Sequence, residues 1–214
     1  ATLTENWGNP SALYGFGIDA AHEMRLARNQ VAAALGAEPD RVFFTSGGTE
    51  ANNLAIFGSV TARPHDGRHI VTTAVEHASV AAAIDQLEKQ GYTVTRLVPD
   101  GSGFVDAPTI AAACRPDTVL VAVMMVNNET GARFPLEDAV CGIRQAAPRA
   151  HIHCDAVQAA GKLPLYAERW NFDSMAVSAH KIHGPKGVGA LYLRRGARIL
   201  PRQLGGKQEG GLRC

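Results

Sequence analysis

The sequence TVLVAVMMV, at residues 118–126, contains the longest uninterrupted apolar run of this chain and decides its fold. The run itself, from Val119 to Val126, is far too short to cross a bilayer, which takes about 20 apolar residues. A continuous apolar run of this length is typical of a β-strand that is covered on both faces, as in parallel sheets. The stretch therefore predicts a buried strand of an α/β protein.

Helical and strand patterns alternate on either side of this strand. Residues 20–35 have the apolar spacing of a helix and are followed by Gly36, a typical C-terminal cap. Alternation of this kind indicates α/β layers around a mainly parallel sheet. Further helices are predicted at 51–60, 79–90, from 106 onward and at 136–146, and further strands at 41–45, 69–73, 93–98, 151–154, 174–178 and 188–194.

The composition is that of an ordinary soluble globular protein. The 214 residues are 46% hydrophobic, and 21 basic residues nearly balance 20 acidic ones, which gives no sign of a nucleic-acid partner. No stretch fits a membrane span or a secretory signal, so we expect a cytoplasmic protein. The cysteines lack the spacing of a metal site, so no metal is predicted, and most of them are expected to pack as small apolar residues. They are Cys114, Cys141, Cys154 and Cys214.

Polar residues follow several predicted strands at the point where each strand ends. His77 follows the strand at 69–73, Asn128 follows the strand at 118–126, and Asp155 follows the next one. Taken alone, each is typical of a solvated loop or of a structural histidine. In open α/β sheets, however, ligands bind outside the carboxyl ends of the strands. Together these residues predict a polar site at one edge of the sheet.

The turn SGGT, at residues 46–49, links a predicted strand to a helix. Its backbone N–H groups and the Thr49 hydroxyl are suited to hold a phosphate at the positive end of the helix dipole. The alternative interpretation is a tight turn with an ordinary Ser/Thr cap.

Two further segments add candidates for the same site. Asp155 and Gln158 are three residues apart, so both can face one ligand if a helical turn follows the strand; the alternative is an N-cap aspartate with a solvated glutamine. Lys181 follows an apolar strand. A lysine beside a serine and a histidine in a cleft is a candidate Schiff-base former, although most lysines are solvated. The glycines of 184–189 precede a strand instead of joining a strand to a helix, which excludes an NAD-binding fingerprint.

Seven short segments carry most of these residues: GNPS (8–11), TSGGTEANN (45–53), VEH (75–77), VNNETG (126–131), HCDAVQ (153–158), SAHKIHGPKG (178–187) and GGKQEGGLR (205–213). In this order they resemble the signature sequences of cysteine desulfurases. That family belongs to the class V aminotransferase-like enzymes of fold type I, which use pyridoxal 5'-phosphate (PLP). The resemblance extends over nearly the whole chain.

The resemblance implies a role for each candidate. Lys181 matches the lysine that holds PLP, and Asp155 matches the carboxylate that pairs with the pyridine nitrogen and keeps the ring an electron sink. His77 matches the imidazole stacked on the ring, and with Lys181 it is expected to be catalytic, as a proton carrier. Asn128 and Gln158 match side chains near the phenolic oxygen of the ring. The phosphate cradle is matched by Gly48, Thr49, Ser178 and His180.

The implied fold is a three-layer α/β sandwich with a mainly parallel central sheet, the large domain of fold type I. Residues 19–204 would form the PLP-binding domain. Residues 1–18 would be a shortened N-terminal segment, and 205–214 a glycine-rich tail toward the partner in a homodimer. The small C-terminal domain of the family and the loop with its nucleophilic cysteine are expected to be absent, so the chain resembles a fragment.

The implied reaction converts L-cysteine into L-alanine and passes the sulfur, as a persulfide, to an enzyme cysteine and from there to a sulfur-acceptor protein. The cysteines of this chain are expected to be poor substitutes for that nucleophile: Cys154 should point to the opposite face from Asp155, and the terminal Cys214 is not expected to have the structured electropositive setting that a reactive thiol needs. The fragment alone is expected to be inactive. The alternatives are a selenocysteine lyase or a small-amino-acid aminotransferase of the same fold, or a module without enzymatic activity; VNNETG favours the desulfurase.

Overall fold

Five α-helices and seven β-strands make up the regular structure of the described residues, which are 4–5 and 7–213 of a computed structural model. The helices are α1 (Gly15–Leu35), α2 (Gly48–Thr61), α3 (Ala78–Lys89), α4 (Ala107–Ala112) and α5 (Leu136–Ala146). The strands are β1 (Val42–Thr45), β2 (His69–Thr73), β3 (Thr93–Leu97), β4 (Thr118–Met124), β5 (His151–Asp155), β6 (Ser174–Ser178) and β7 (Gly189–Leu193). Short 3-10 turns lie at Pro39–Arg41, Ala179–Ile182 and Gln208–Gly211.

The strands form one sheet in the order β1-β7-β6-β5-β4-β2-β3. Neighbours from β6 to β3 are parallel, whereas β7 is antiparallel to both β1 and β6. The connection from β6 to β7 covers only residues 179–188, which is too short for the crossover that a parallel neighbour needs. The predicted mainly parallel sheet is confirmed, and β7 departs from it because of this short connection.

The interior strand β4 shows how the helices cover both faces of the sheet. Every residue of β4 is buried. Val121 and Val123 belong to a core that includes residues of α1, α4 and α5, while Leu120 and Ala122 pack with residues of α2 and α3. Because successive side chains of a strand point to opposite faces, one apolar run fills two cores. The predicted three-layer α/β sandwich is confirmed.

Three element boundaries differ from the sequence prediction by more than one residue. β4 ends before Val126, because Val126 pairs with Arg133 in an isolated antiparallel bridge. α1 already begins at Gly15, where the predicted helix began at residue 20. α2 begins at Gly48 instead of residue 51, so part of the SGGT turn belongs to the first turn of this helix.

No α-helix among the described residues combines the length and the apolar character that a membrane span requires. Within the same residues, no group of three or more His, Cys, Asp or Glu side chains is arranged to hold a metal ion. A cytoplasmic location stays a prediction.

The glycine-rich tail folds onto its own chain. Glu209 accepts two hydrogen bonds of 2.8 Å from Arg28 of α1 and one of 2.7 Å from the backbone N–H of Phe44 in β1. Farther along, Arg213 donates a 2.5 Å hydrogen bond to Glu50 of α2. Contact between this tail and a second subunit stays a prediction, as do the domain limits.

A buried carboxylate, that of Asp173, joins several elements at the amino end of β6. Asp173, directly before β6, accepts hydrogen bonds from Arg144 at 2.6 Å and from the backbone N–H of Ile152 at 2.8 Å. Arg194 donates two more, at 2.5 and 3.0 Å. Burial alone would raise the pKa of Asp173, but His151, Arg144 and the Ile152 N–H outweigh it and lower that pKa below its ordinary value. Asp173 is therefore ionised at neutral pH, where it stabilises the fold.

Asp173→Asn is expected to lower the free energy of unfolding by about 2–3 kcal/mol at neutral pH, because two arginines lose a buried ionic partner. The pKa of Asp173 is lower in the folded than in the unfolded state. The substitution therefore lowers the free energy of unfolding by its full amount above about pH 5, and this effect shrinks as the pH falls below about 4. Urea unfolding at several pH values measures both effects. Asp117→Asn, which breaks an exposed pair with Arg115, is the control and should cost less than about 1 kcal/mol. Equal losses in the two variants would contradict the prediction.

Candidate active site

A cavity of about 390 Å³ lies at the edge of the sheet where β1, β2, β4, β5 and β6 end. These strands share one direction, so their carboxyl ends bring the residues that follow them to the same place. The structure places all nine predicted site residues in the lining of this cavity. They are Gly48, Thr49, His77, Asn128, Asp155, Gln158, Ser178, His180 and Lys181.

The loop between β1 and α2 gives the cavity an end that suits an anion. Gly47 has a φ of +152°, and α2 begins at Gly48, so the first N–H groups of the helix have no acceptor within it. A Cβ at Gly189 would lie 2.6 Å from the Cα of Gly47, so β7 requires a glycine where it passes the loop. The Ser178 hydroxyl, 2.8 Å from Nδ1 of His180, lines the same cavity. Free helical N–H groups beside a hydroxyl are typical of phosphate sites.

Asp155 provides a buried carboxylate in the cavity wall. It is 5% exposed. Its Oδ2 accepts a 2.7 Å hydrogen bond from Nδ2 of Asn52, and its Oδ1 accepts one of 3.0 Å from the backbone N–H of Val157. Burial raises the pKa of Asp155 above its ordinary value, while these two hydrogen bonds and the nearby His77 partly offset that rise. Such a carboxylate suits a protonated nitrogen of a ligand.

Asn52 is a site residue that the sequence patterns did not single out. It is buried on α2 and donates to Asp155 and to the Ser79 hydroxyl, the latter at 2.9 Å. Its Oδ1 lies 3.0 Å from Nε2 of His153. Asn52 belongs to TSGGTEANN, but α2 is buried on almost every side, so helical periodicity does not show which face meets the cavity. A buried amide in a mostly apolar helix is the available signal.

His77 caps the first turn of α3. Its Nδ1 accepts a 3.2 Å hydrogen bond from the backbone N–H of Ser79 and lies 2.8 Å from the hydroxyl of the same serine. Because a backbone N–H only donates, Nδ1 carries the lone pair, and the proton of the neutral ring is on Nε2. The helix end thus fixes both the orientation and the tautomer of this imidazole.

Lys181 lies on the 3-10 turn that directly follows β6. The turn ends at His183, whose φ of +62° reverses the chain toward β7. Lys181 is exposed, and Lys186 from the same connection lines the cavity beside it. Two lysines and the free N–H groups of α2 make the cavity attractive to an anionic ligand.

Asn128 and Gln158 reach the cavity on two different loops. Asn127 shapes the first loop, because its Oδ1 accepts 2.9 Å hydrogen bonds from the backbone N–H groups of Glu129 and Thr130. Asn127 therefore has a structural role, while Asn128 lines the cavity. Gln158 lies in consecutive turns after β5 instead of a regular helix, and its spacing from the strand end still brings it to the cavity.

Glu76 is a buried carboxyl group that contacts Met124 in the cavity wall, in addition to Asp155 and Glu50, which line the cavity, and it too was not predicted as a site residue. Its Oε1 accepts hydrogen bonds from the Met124 N–H at 2.9 Å and the Thr73 hydroxyl at 2.7 Å. Its Oε2 is buried without a hydrogen-bond partner among the described residues. Burial raises the pKa of Glu76 to about 8, assisted by the charge of Asp155 and opposed by the two hydrogen bonds. Glu76 is therefore mostly protonated at neutral pH.

None of the cysteines in the described part of the chain lines this cavity. Cys154 is buried in the core on the other face of β5 from Asp155, and burial together with the charge of Asp155 raises the pKa of its thiol well above the ordinary value. Burial raises the pKa of Cys114 to about 11. Cys141 is exposed on α5, and Cys214 lies outside the described residues.

Comparison with known proteins identifies the family. The model of the family described as "Aminotransferase class-V" matches residues 2–210, so the chain belongs to the class-V aminotransferase family. "Cysteine desulfurase 2" of Trichormus variabilis is 49% identical over 212 residues, which are 99% of this chain and 52% of that protein. "Cysteine desulfurase IscS" of Dictyoglomus turgidum is 42% identical, over 99% of this chain and 53% of that protein. The chain thus spans about half the length of the curated relatives it matches.

Solved structures agree with the fold. A "NifS-like protein" superposes with a TM-score of 0.95 at 38% identity, covering 100% of this chain and 58% of that chain. "SspA in complex with cysteine" has a TM-score of 0.93 at 37% identity, covering 99% of this chain and 61% of that chain. The predicted fold-type I architecture is confirmed.

Proposed function

We propose that this chain is the PLP-binding core of a cysteine desulfurase, an enzyme that converts L-cysteine into L-alanine and passes the sulfur to an enzyme cysteine as a persulfide. The observation that carries the proposal is that all nine residues expected to hold PLP line one cavity. The names of the relatives support the reaction class, and the SspA structure, described in complex with cysteine, supports the substrate.

The end of the cavity at α2 fits the phosphate group of PLP. Gly48 and Thr49 would donate backbone N–H groups there, and the helix dipole favours the negative charge. A Cβ at Gly48 would lie 2.7 Å from Cγ2 of Val157, so a larger residue would crowd this end of the cavity. Ser178 and His180 would donate the remaining hydrogen bonds from the other side of the loop.

Asp155 fits the pyridine nitrogen of PLP. Each of its oxygens already accepts one hydrogen bond, from Asn52 or Val157, and keeps the capacity for another. PLP, when bound, supplies an electron sink that stabilises negative charge on the α-carbon of an amino acid. The Asp155 carboxylate would keep a proton on the ring nitrogen, which is the electrostatic condition for that chemistry.

Lys181 and His77 are the proposed catalytic side chains. Lys181 would hold the cofactor at its aldehyde carbon, and its amine would be placed to move the proton at the substrate α-carbon. His77, held by Ser79, would lie against the ring and restrict its tilt. Asn128 and Gln158 would donate amide N–H groups to the phenolic oxygen.

We propose that the cysteine that forms the persulfide belongs to a segment outside these 214 residues, which corresponds to the part of the longer relatives that this chain does not span. Cys114 and Cys154 are buried and have raised pKa values, and Cys141 does not line the cavity. Transfer to a sulfur-acceptor protein would start from that external cysteine. The 214 residues alone are therefore expected to bind PLP without releasing sulfur.

Adding PLP to the chain is expected to give a yellow adduct that borohydride fixes on Lys181. Lys181→Ala should abolish this adduct, because the amine proposed to bind the aldehyde carbon of PLP is removed, and Lys186, which lines the same cavity, is not expected to replace it. Absorbance spectra and peptide mass spectrometry of the reduced protein provide the measurement. Lys89→Ala, at the end of α3 and outside the cavity lining, is the matched control and should keep the adduct. A wild-type chain without a lysine-dependent adduct would refute the proposal and favour a module without enzymatic activity.

In the full-length gene product, cysteine is expected to yield sulfide and alanine in equal amounts under reducing conditions. Asp155→Asn should lower this rate on the order of 100-fold, because the ring proton loses its anionic partner. Asp138→Asn, an exposed position on α5, should leave the rate unchanged. Transamination of a keto acid without sulfide release would point to the aminotransferase alternative, and turnover of selenocysteine alone would point to the lyase.

We also propose a homodimer, supported by an apolar surface at the start of α1. Leu13, Tyr14, Phe16 and Ile18 are 54–95% exposed, and Trp7 stacks on Phe16 with ring centroids 5.7 Å apart. Contiguous exposed apolar side chains of this kind mark protein interfaces.

The double substitution Phe16→Glu and Ile18→Glu is expected to shift the protein from dimer to monomer, because two charges would be buried in the interface. Sedimentation velocity measures the mass, and an unchanged circular dichroism spectrum shows that the fold is retained. A wild-type protein that sediments as a monomer at all concentrations tested would count against the dimer.

A further inference from the structure

A line of buried hydrogen bonds connects Asp155 to the interior of the sheet. Nδ2 of Asn52 donates to Asp155 at 2.7 Å, and Oδ1 of Asn52 lies 3.0 Å from Nε2 of His153. Nδ1 of His153 lies 2.8 Å from the hydroxyl of Ser174, which lies 2.7 Å from Nε2 of His151. All five residues are at most 5% exposed. The proposed reaction assigns no role to either histidine.

The line has a direction, which the charge of Asp155 sets. An ionised carboxylate only accepts hydrogen bonds, so Asn52 turns its amide nitrogen to Asp155 and its carbonyl oxygen to His153. His153 must then donate from Nε2, and its Nδ1 carries a lone pair that accepts the hydrogen of the Ser174 hydroxyl. The oxygen of Ser174 in turn accepts from Nε2 of His151.

The far end of the line has one unused acceptor. Nδ1 of His151, which carries a lone pair in this arrangement, is buried without a hydrogen-bond partner among the described residues. Burial lowers the pKa of His151 to about 3, and burial together with His151 lowers the pKa of His153 to about 3. Both rings are therefore neutral at neutral pH, and each holds one proton on a defined nitrogen.

We propose that Asn52, His153, Ser174 and His151 form a relay that positions Asp155 and couples its ionisation to the tautomer of both histidines. With Asp155 ionised, each ring holds its proton on Nε2. With a proton on Oδ2 of Asp155, that group donates to Oδ1 of Asn52, the amide turns over, and each ring holds its one proton on Nδ1. The relay resists this reversal and so holds the carboxylate in the form that the proposed function requires; this last step rests on the proposed function.

The charged groups around the cavity end of the relay come from three parts of the fold: Glu50 lies on α2, Glu76 and His77 lie between β2 and α3, and Lys181 and Lys186 follow β6. His77 at the start of α3 favours the ionised form of Asp155, and Lys181 after β6 lines the same cavity. Glu76 opposes ionisation when it is itself charged.

The charges around the other end of the relay surround His151. Asp173 raises the pKa of His151, whereas Arg63, Arg144 and Arg194 lower it, and burial outweighs all four. The arginines therefore add to burial in keeping this ring neutral.

Nuclear magnetic resonance of the cofactor-free chain, labelled with ¹⁵N-histidine, reads the tautomers directly. At neutral pH, His151 and His153 are expected in the neutral form with the proton on Nε2, and neither should titrate between about pH 5 and 8. Single His→Gln variants assign the signals. A proton on Nδ1 of either ring while Asp155 is ionised, or titration of either ring in that range, would overturn the relay. The tautomers themselves are read on the unsubstituted chain.

Carboxyl ¹³C titration of Asp155 tests the coupling. His153→Phe should raise the Asp155 midpoint by about one pH unit, a tenfold change in acidity, because Asn52 is no longer held with its nitrogen toward the carboxylate. His153→Gln keeps a donor near the position of Nε2 and should restore most of the wild-type midpoint.

The matched control is His69→Phe. His69 is equally buried and is hydrogen-bonded at both ring nitrogens, to Thr118 at 2.7 Å and Thr95 at 2.9 Å, but it has no link to Asp155. Its replacement should leave the Asp155 midpoint unchanged. Equal shifts in His69→Phe and His153→Phe, or no shift in a folded His153→Phe, would overturn the coupling. If both histidines have the expected tautomers but no Lys181 adduct forms, the relay is supported and the proposed function is refuted. If the adduct forms but the tautomers differ, the proposed function is supported and the relay is refuted.

Discussion

The carboxylate of Asp155 lies between the sheet and α2, and its burial constrains everything around it. A charge at this depth is tolerated only when hydrogen-bond donors surround it, and here Asn52 and the Val157 N–H supply them. Asn52 fixes α2 against β5, and the position of α2 determines where its first N–H groups point. One buried charge thus sets the distance between the two ends of the cavity, one suited to a cation and the other to an anion.

Most of the fold and much of the cavity could be predicted from the sequence. The apolar run at 119–126 identified a buried strand, because a strand covered on both faces of a sheet has few other compositions. Residues such as His77 and Asp155 were found because the carboxyl ends of parallel strands converge. Both arguments combine a local sequence pattern with a general rule about α/β sheets. The roles of the individual residues come from the resemblance to a family, and they stay predictions.

The features that escaped prediction depend on contacts between distant segments. The direction of β7 depends on its short connection to β6 and on its place in the sheet between β1 and β6. The place of a strand in the sheet is not visible in a local sequence pattern. Asn52, Glu76 and His153 belonged to quoted motifs, but each has hydrogen-bond partners on distant segments, which lie 21 to 103 positions away along the chain. The role of a polar residue in a buried element depends on its hydrogen-bond partner in another element. Only the packed structure shows which residue that partner is.

The contact between Glu209 and β1 also has a consequence for solubility. β1 is an outermost strand of the sheet, and the strand edge facing away from β7 presents backbone groups that another chain could pair with. The side chain of Glu209 takes the N–H of Phe44 and places a carboxylate and the guanidinium of Arg28 along that edge. An incoming strand would have to displace an ion pair before it could add to the sheet. The contact of the tail with β1 therefore opposes aggregation through this outermost strand.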